Sequence, residues 1–124
     1  MANKQLILMI SVCSFLFLSG SSVYETWLAE NQDNLQKISP GLTRNEVVEI
    51  MGTREARLKN MPVSNPYKSD VFTLNNEDYE ILYYLIRKPS FSAIRESQAT
   101  PVVIKNGIVI GVGNEAVKKA KRGK

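Results

Sequence analysis

The chain has 124 residues, of which 44% are hydrophobic and 23% are charged, a mixture typical of one globular domain. It contains no histidine and a single cysteine, Cys13. These counts exclude a Ser-His-Asp triad, an intrachain disulfide framework and a Cys/His zinc site. We therefore expect no catalytic residue, no metal site and no cofactor site, and predict that the protein is not an enzyme.

The formal net charge of +4 is concentrated at the C-terminus. Five of the sixteen basic residues lie in the last seven positions: Lys118, Lys119, Lys121, Arg122 and Lys124. A nucleic-acid-binding domain usually carries its basic residues as a stripe across the folded face. We therefore predict no nucleic-acid partner. Residues 118–124 are interpreted as a basic tail that is either solvated or in contact with anionic lipid or an acidic partner.

The N-terminal segment has the order of a secretory signal. Lys4 precedes a thirteen-residue apolar run at positions 6–18, interrupted only by two serines and Cys13, and small residues follow it. A basic start, an apolar middle and small residues at the end are typical of a signal peptide, and cleavage after Ser21 suits this pattern.

An uncleaved membrane anchor remains open, because residues 6–23 number eighteen and a spanning helix needs about 20 apolar residues. In either case we predict export, and a location in the periplasm or cell envelope. Residues 1–21 are then a signal peptide or an inner-membrane anchor, and residues 22–124 form a single domain.

Two helices are predicted at the start of that domain. Between Val23 and Ile38, apolar residues at spacings of three, four and seven line one face of a helix. Thr43 and Glu46 then match a capping box, in which each side chain bonds to the backbone amide of the other residue. The second helix is therefore short, and Gly52 is expected to end it in a left-handed conformation.

The middle of the chain gives a weaker pattern. Residues 53–78 show no sustained periodicity and are interpreted as a long loop, with one short strand near residues 71–74. Residues 79–87 are β-branched, aromatic and nearly uncharged, so they predict a strand. Both faces of that strand are apolar, unlike a half-solvated antiparallel strand.

The last part of the chain predicts a hairpin and a helix. Asn106 and Gly107 stand between two β-branched runs, the sequence that favours a type I′ turn. Asn114 is expected to cap a short helix over residues 115–121. The predicted fold class is α+β, with two N-terminal helices packed on one face of a three-stranded antiparallel sheet and a short C-terminal helix.

The second helix and the strands resemble a known family. Residues 38–53 read I-x-x-G-L-T-x-x-E-V-x-x-x-M-G-T, which is similar to the repeated I-x-x-G-M-T-x-x-E-V-x-x-L-x-G-x-P motif of the SmpA/OmlA, or BamE-like, bacterial envelope proteins. Residues 79–84, 100–107 and 111–113 are similar to segments of a small uncharacterised sister family with that fold. The resemblance spans about residues 35–120.

This resemblance implies a two-layer α+β fold and a place in the bacterial envelope. Characterised BamE-like proteins are small accessory subunits of the outer-membrane β-barrel assembly machine, and usually lipoproteins. The chain departs from them in two respects: Cys13 lies inside the apolar run rather than near its end, and Arg54 stands where the motif has proline. The resemblance transfers no binding residue.

Tyr79, Tyr83, Tyr84 and Ile86 are the candidate partner-binding residues, on the face of the sheet that the helices leave uncovered. Apolar side chains on such a face need a cover from the chain itself, a second copy in a homodimer, or a protein partner. All three arrangements remain open from the sequence.

The functional hypothesis best supported by the sequence is a non-enzymatic exported protein. It would act as a small protein-interaction module in the envelope, for example as an accessory of outer-membrane protein assembly. The alternative is an inhibitor-like or regulatory binder of another exported protein. A third hypothesis, an enzyme that uses Glu77, Asp78 and Glu80 as acid and base, has the least support. Membrane association through the N-terminal segment also remains open.

Overall fold

A computed structural model describes residues 23–58, 61–89 and 94–122. The predicted signal peptide or anchor over residues 1–21 lies outside these ranges, as do the last two residues of the chain. Within the described ranges, no helix is long and apolar enough to cross a bilayer.

The described residues form three α-helices and two antiparallel sheets. The helices are α1 (Val23–Leu35), α2 (Arg44–Met51) and α3 (Asn114–Lys121). The strands are β1 (Ala56–Leu58), β2 (Met61–Val63), β3 (Lys68–Leu74), β4 (Glu77–Leu85), β5 (Ala99–Lys105) and β6 (Ile108–Val112). β1 pairs only with β2, whereas the main sheet has the order β3-β4-β5-β6. The α+β class is thus confirmed.

The main sheet has four strands, so the prediction of three strands was wrong. The additional strand is β3, which lies within the segment interpreted as a long loop, together with β1 and β2. β3 carries a polar residue at four of its seven positions, so its apolar signal is weak. Asn75 and Asn76, with φ of 54° and 61°, form the two-residue turn between β3 and β4, because asparagine tolerates positive φ.

The helices lie on both faces of the main sheet, and not on one face as predicted. Successive β4 side chains point to opposite faces: Leu82 and Tyr84 contact α1 and α2, whereas Ile81 and Tyr83 belong to the side that α3 covers. The layer on the α1/α2 side contains Leu35, Ile38, Val47, Met51, Leu82, Tyr84, Val102, Ile104 and Val109. The layer on the α3 side contains Tyr79, Ile81, Tyr83, Ala99, Val103 and Ala120.

Several local predictions are confirmed. Both bonds of the capping box are present, since the Glu46 amide donates to Thr43 Oγ1 at 3.2 Å and the Thr43 amide donates to Glu46 Oε1 at 3.0 Å. Asn106 and Gly107 have φ of 50° and 82°, the positive values that a type I′ turn requires. Gly52 follows α2 with φ of 76°.

Two boundary predictions were wrong. α1 ends at Leu35 rather than at Ile38, because residues 36–38 continue in turns whose amides donate to carbonyl groups three residues earlier. Asn114 is the first residue of α3 and not its cap; Gly113, with φ of 102°, occupies the cap position without a side-chain hydrogen bond.

A buried pair of asparagines joins α1 to the segment that leads into β3. The amide groups of Asn31 and Asn65 bond to each other in both directions, at 3.1 and 3.0 Å. Asn31 also donates to the carbonyl of Leu85 at 2.8 Å, and Asn65 to the carbonyl of Met51 at 2.9 Å. The pair therefore connects α1, the end of α2, the end of β4 and the β2–β3 connection.

We expect Asn65→Ala to lower the free energy of unfolding by at least about 2 kcal/mol, because a buried polar group left without its partner costs about 1–3 kcal/mol. The substitution deprives both Asn31 and the Met51 carbonyl of a partner. Urea denaturation measures the change. Gln36→Ala, at an exposed position, is the control and should alter stability by less than about 0.5 kcal/mol.

Gly111 allows α3 to approach the sheet closely. A Cβ atom placed on Gly111 would lie 2.7 Å from the Cβ of Ala116 in α3. We expect Gly111→Ala to destabilise the fold by about 1–3 kcal/mol, the usual cost of overpacking. In a double-mutant cycle, Ala116→Gly should recover part of this loss. Independent, additive effects of the two substitutions would contradict the close contact.

Candidate interaction surface

The four residues predicted to form a partner-binding face do not lie on one face. Tyr79 and Tyr83 belong to the α3 side of the sheet, whereas Tyr84 belongs to the α1/α2 side. Ile86 follows the end of β4 and packs against the α1/α2 side. The three tyrosines are buried and Ile86 is half-buried. These residues therefore act mainly as core residues of the chain.

The acidic residues near the start of β4 are also separated. Glu80 accepts two hydrogen bonds from the Arg44 guanidinium, at 2.6 and 3.2 Å, on the α1/α2 side. Glu77 lies on the other side and pairs with Lys105 at 3.0 Å, which lowers the pKa of this carboxyl. Asp78 accepts from the Thr73 hydroxyl at 3.2 Å. The three carboxylates thus have separate partners and share no common site.

No group of three or more potential metal-ligating side chains is found within residues 23–58, 61–89 and 94–122. The surface features that stand out are the two edges of the main sheet and the exposed apolar residues beside them.

The β6 edge is covered by the chain segment before α2. The Gly41 amide donates to the Val109 carbonyl at 2.9 Å, and the Val109 amide donates to the Leu42 carbonyl at 2.8 Å. The Arg44 amide also donates to the Gly107 carbonyl at 3.0 Å. The main-chain groups of Val109 and the carbonyl of Gly107 are therefore already paired, so the edge offers little room for an additional strand along residues 107–109.

The opposite edge, β3, bonds to the sheet on one side only among the described residues. The orientation of its groups follows from β4. The Asp78 carbonyl points to β5, because it accepts from the Asn106 amide, and the Tyr83 carbonyl points towards β3, because it accepts from the Tyr67 amide. Successive residues of a strand direct their bonding groups to alternate sides, so Ile81 and Tyr79 also bond to β3.

The pairing register then identifies the outward groups of β3. Asp70 and Phe72 lie opposite Ile81 and Tyr79, so these two residues bond to β4. The amide and carbonyl groups of Ser69, Val71 and Thr73 consequently point away from the sheet. The side chains of these three residues are exposed, and Val71 at the centre is 74% exposed. We call residues 69–73 with these outward groups the β3 edge.

The other side of β3 is attached firmly to the sheet. Phe72 stacks on Tyr79 with ring centroids 5.0 Å apart, and Asp70 accepts from the Tyr83 hydroxyl at 3.2 Å. Lys68 lies 4.7 Å from the centroid of the Tyr83 ring. The β3 edge is therefore held in an extended form before any partner arrives, which lowers the entropy cost of binding.

The hydroxyl of Tyr84 is buried and has no hydrogen-bond partner among the described residues. Burial raises the pKa of Tyr84 to about 12. Burial also raises the pKa of Tyr83 to about 12, with a further contribution from Asp70. Tyrosine in an unfolded chain ionises near pH 10, whereas burial disfavours ionisation of these two residues in the folded state. Their titration therefore leaves stability unchanged below pH 10 and lowers it as the pH rises from 10 to 12.

We expect Tyr84→Phe to leave the free energy of unfolding at pH 7 unchanged or to raise it by up to about 1 kcal/mol, since it removes an unpaired buried hydroxyl. Tyr83→Phe removes the hydrogen bond to Asp70 and should therefore lower the free energy of unfolding at pH 7 by about 0.5–1.5 kcal/mol. Urea denaturation at pH 7 and pH 11 measures both. The loss of stability at pH 11 should be smaller in Tyr84→Phe than in the wild type.

The sequence predicted a short strand near residues 71–74 but did not identify it as an open edge of the sheet. The alternation of Lys68, Asp70, Phe72 and Leu74 with small residues, followed by two asparagines, was the available signal. Which edge of the sheet stays open depends on the return of residues 41–44 to β6, a contact between distant parts of the chain.

Comparison with known proteins gives a family and no characterised relative. No curated protein and no solved structure matches the chain. A family described as a protein of unknown function, DUF3192, matches residues 19–119, which include every strand and nearly all helical residues of the structure. The match covers most of the sequence, and the chain therefore belongs to the DUF3192 family.

Proposed function

We propose that this protein is an exported, non-enzymatic interaction module of the bacterial envelope, and that it binds a protein partner by adding an extended segment of that partner to the β3 edge. The observation that carries the proposal is the difference between the two edges. Residues 107–109 are paired with residues 41–44, whereas the outward main-chain groups of Ser69, Val71 and Thr73 have no partner among the described residues.

The chemistry of this edge supports strand addition. Natural proteins usually protect an open edge with charges, proline or a covering segment. The outward residues of the β3 edge are uncharged, and the central one is the exposed Val71. Main-chain hydrogen bonds from an added strand provide affinity, and contacts with alternate side chains provide specificity. Val71 is the side chain best placed for such a contact.

The location is supported by the N-terminal sequence, with Lys4, the apolar run and the small residues up to Ser22. The resemblance of residues 38–53 to BamE-like proteins supports a finer proposal, an accessory role in outer-membrane protein assembly. An inhibitor-like or regulatory binder of another exported protein would use the same edge. The identity of the bound protein distinguishes the two.

The experiment compares proteins captured by edge variants of the tagged chain from envelope fractions. Val71→Pro removes an outward amide without removing a bond to β4, and proline is accepted at such positions of edge strands. Val71→Lys introduces a charge that opposes pairing at an edge. We expect both variants to lose at least about 90% of a partner that the wild type captures, because each interrupts the row of main-chain bonds.

Two controls make the result specific. Val71→Thr keeps a β-branched residue and the amide, and should retain the partner. Gln36→Lys introduces the same charge at an exposed position outside the main sheet, and should also retain it. Thermal melting verifies that each variant is folded. Undiminished capture by folded Val71→Pro would rule out the β3 edge, and assembly-machine proteins among the lost partners would support the finer role.

A further inference from the structure

The positive charge of the chain is segregated onto its last elements. Residues 23–113 contain ten basic and eleven acidic residues, whereas residues 114–124 contain five basic residues and one acidic residue. The net charge is therefore close to zero over residues 23–113 and strongly positive over residues 114–124. Such segregation determines where an anionic partner would bind.

Most of these cations belong to a packed helix rather than to a loose tail. Ala116, Val117 and Ala120 of α3 pack against the sheet. The basic residues occupy the remaining surface of α3 and its C-terminal end, and all are exposed: Lys118, Lys119, Lys121 and Arg122. The sheet therefore holds the helix in place and directs its cationic face outwards. Little conformational freedom of the backbone is lost when this face binds.

These cations are largely free of acidic partners. Lys118 lies 3.5 Å from Glu115, at an exposed position where such a pair contributes little. Lys119, Lys121 and Arg122 form no ion pair with the described residues. An anion that approaches α3 thus does not have to displace an internal carboxylate from most of the face.

An apolar groove lies beside the cations, between α3 and β6. Its volume is about 430 Å³, and its lining includes the aliphatic residues Ile110, Val112, Ala116 and Ala120 together with one cation, Lys119, and one carboxylate, Glu115. Ile110 is 43% exposed and Ile108, on the same strand, is 41% exposed. Aliphatic side chains thus lie next to the amino group of Lys119, and the other cations of α3 are exposed nearby on the same short helix, a combination that matches an anionic amphiphile.

We propose that α3 and the adjacent β6 residues bind an anionic phospholipid surface. The amino groups of Lys118, Lys119 and Lys121 contact lipid phosphates, and Ile108 and Ile110 contact the boundary between headgroups and acyl chains. The apolar side of α3 packs on the sheet, so the apolar contact comes from β6, while the lysines of α3 provide the electrostatic attraction to anionic lipid. The surface is separate from the β3 edge, because β6 and β3 lie at opposite edges of the main sheet.

A lipid surface fits these observations better than an acidic protein does. An acidic segment would be matched by the cations alone, whereas the exposed isoleucines and the groove beside Lys119 also require an apolar partner. The location of the chain in the envelope, on which the biological use of this surface rests, is part of the proposed function. The binding itself is a property of the folded domain and is tested on the purified protein.

Residues 22–124 are a suitable protein for the test, because every buried core residue of the structure lies between Trp27 and Ala120. Omission of the apolar run removes a second route to the membrane. The purified domain is mixed with vesicles of 70% phosphatidylethanolamine and 30% phosphatidylglycerol, or of phosphatidylcholine alone, and the bound fraction is measured by flotation. We expect binding to the anionic vesicles only, weakened at least tenfold by 0.5 M NaCl because salt screens exposed charges.

The decisive comparison uses two variants of equal charge. Lys118→Gln/Lys119→Gln/Lys121→Gln removes three cations from α3, and should reduce the partition coefficient at least about tenfold, since each basic residue near an anionic surface contributes to binding. Lys37→Gln/Arg87→Gln/Lys88→Gln removes three exposed cations elsewhere, and should reduce it less than about threefold. Ile110→Ser should weaken binding without changing the net charge.

A further measurement tests binding of the purified domain to polyglutamate, an acidic polypeptide, in solution. Equal loss in the two triple variants would overturn the assignment to α3, as would binding that does not depend on phosphatidylglycerol. Binding of polyglutamate with no binding to anionic vesicles would assign the surface to an acidic polypeptide instead and would also overturn the proposal. These outcomes are independent of Val71, so failure here leaves the proposed function of the β3 edge unaffected.

Discussion

Strand β4 is apolar on both of its faces, and this property requires the main sheet to be covered on both sides. Leu82 and Tyr84 are fully buried on the side of α1 and α2, and Ile81 is fully buried on the side of α3. A sheet with only one helical layer would leave one of these sets in water, at a cost of about 25 cal/mol per Å² of apolar surface. The C-terminal helix is therefore a structural layer of the domain.

Close packing of that layer depends on small residues. Gly111 of β6 faces Ala116 of α3, and a methyl group on the glycine would lie within 2.7 Å of the alanine methyl group. The short distance brings the apolar side of α3 onto the sheet and leaves its lysines outside. The same helix thus completes the core and carries the cationic surface to which we assign lipid binding.

The opposite face is organised by polar contacts as well as by apolar packing. The Asn31–Asn65 pair links α1 with the segment before β3, and the Arg44–Glu80 pair links α2 with β4. The return of Gly41 to β6 closes one edge of the sheet. Among the residues that the structure describes, the β3 edge has no such covering segment, and that edge is the proposed partner site.

The sequence by itself determined the features that depend on neighbouring residues: the Thr43–Glu46 capping box, the Asn106-Gly107 turn and the α+β class. Each follows from local backbone preferences or from a short periodic pattern. The strand β3 was identified only in small part, because its polar residues give little apolar periodicity and its position depends on pairing with β4.

Only the tertiary structure decided which residues could meet a partner. Tyr79 and Tyr83 were expected at an exposed face, but α3 packs over that face and Phe72 of the neighbouring strand β3 stacks on Tyr79. The position of α3 depends on contacts between residues far apart in the chain. The openness of the β3 edge likewise depends on residues 41–44 covering the other edge. A linear pattern records the apolar character of a strand, whereas the element that covers it is chosen by long-range packing and main-chain hydrogen bonding.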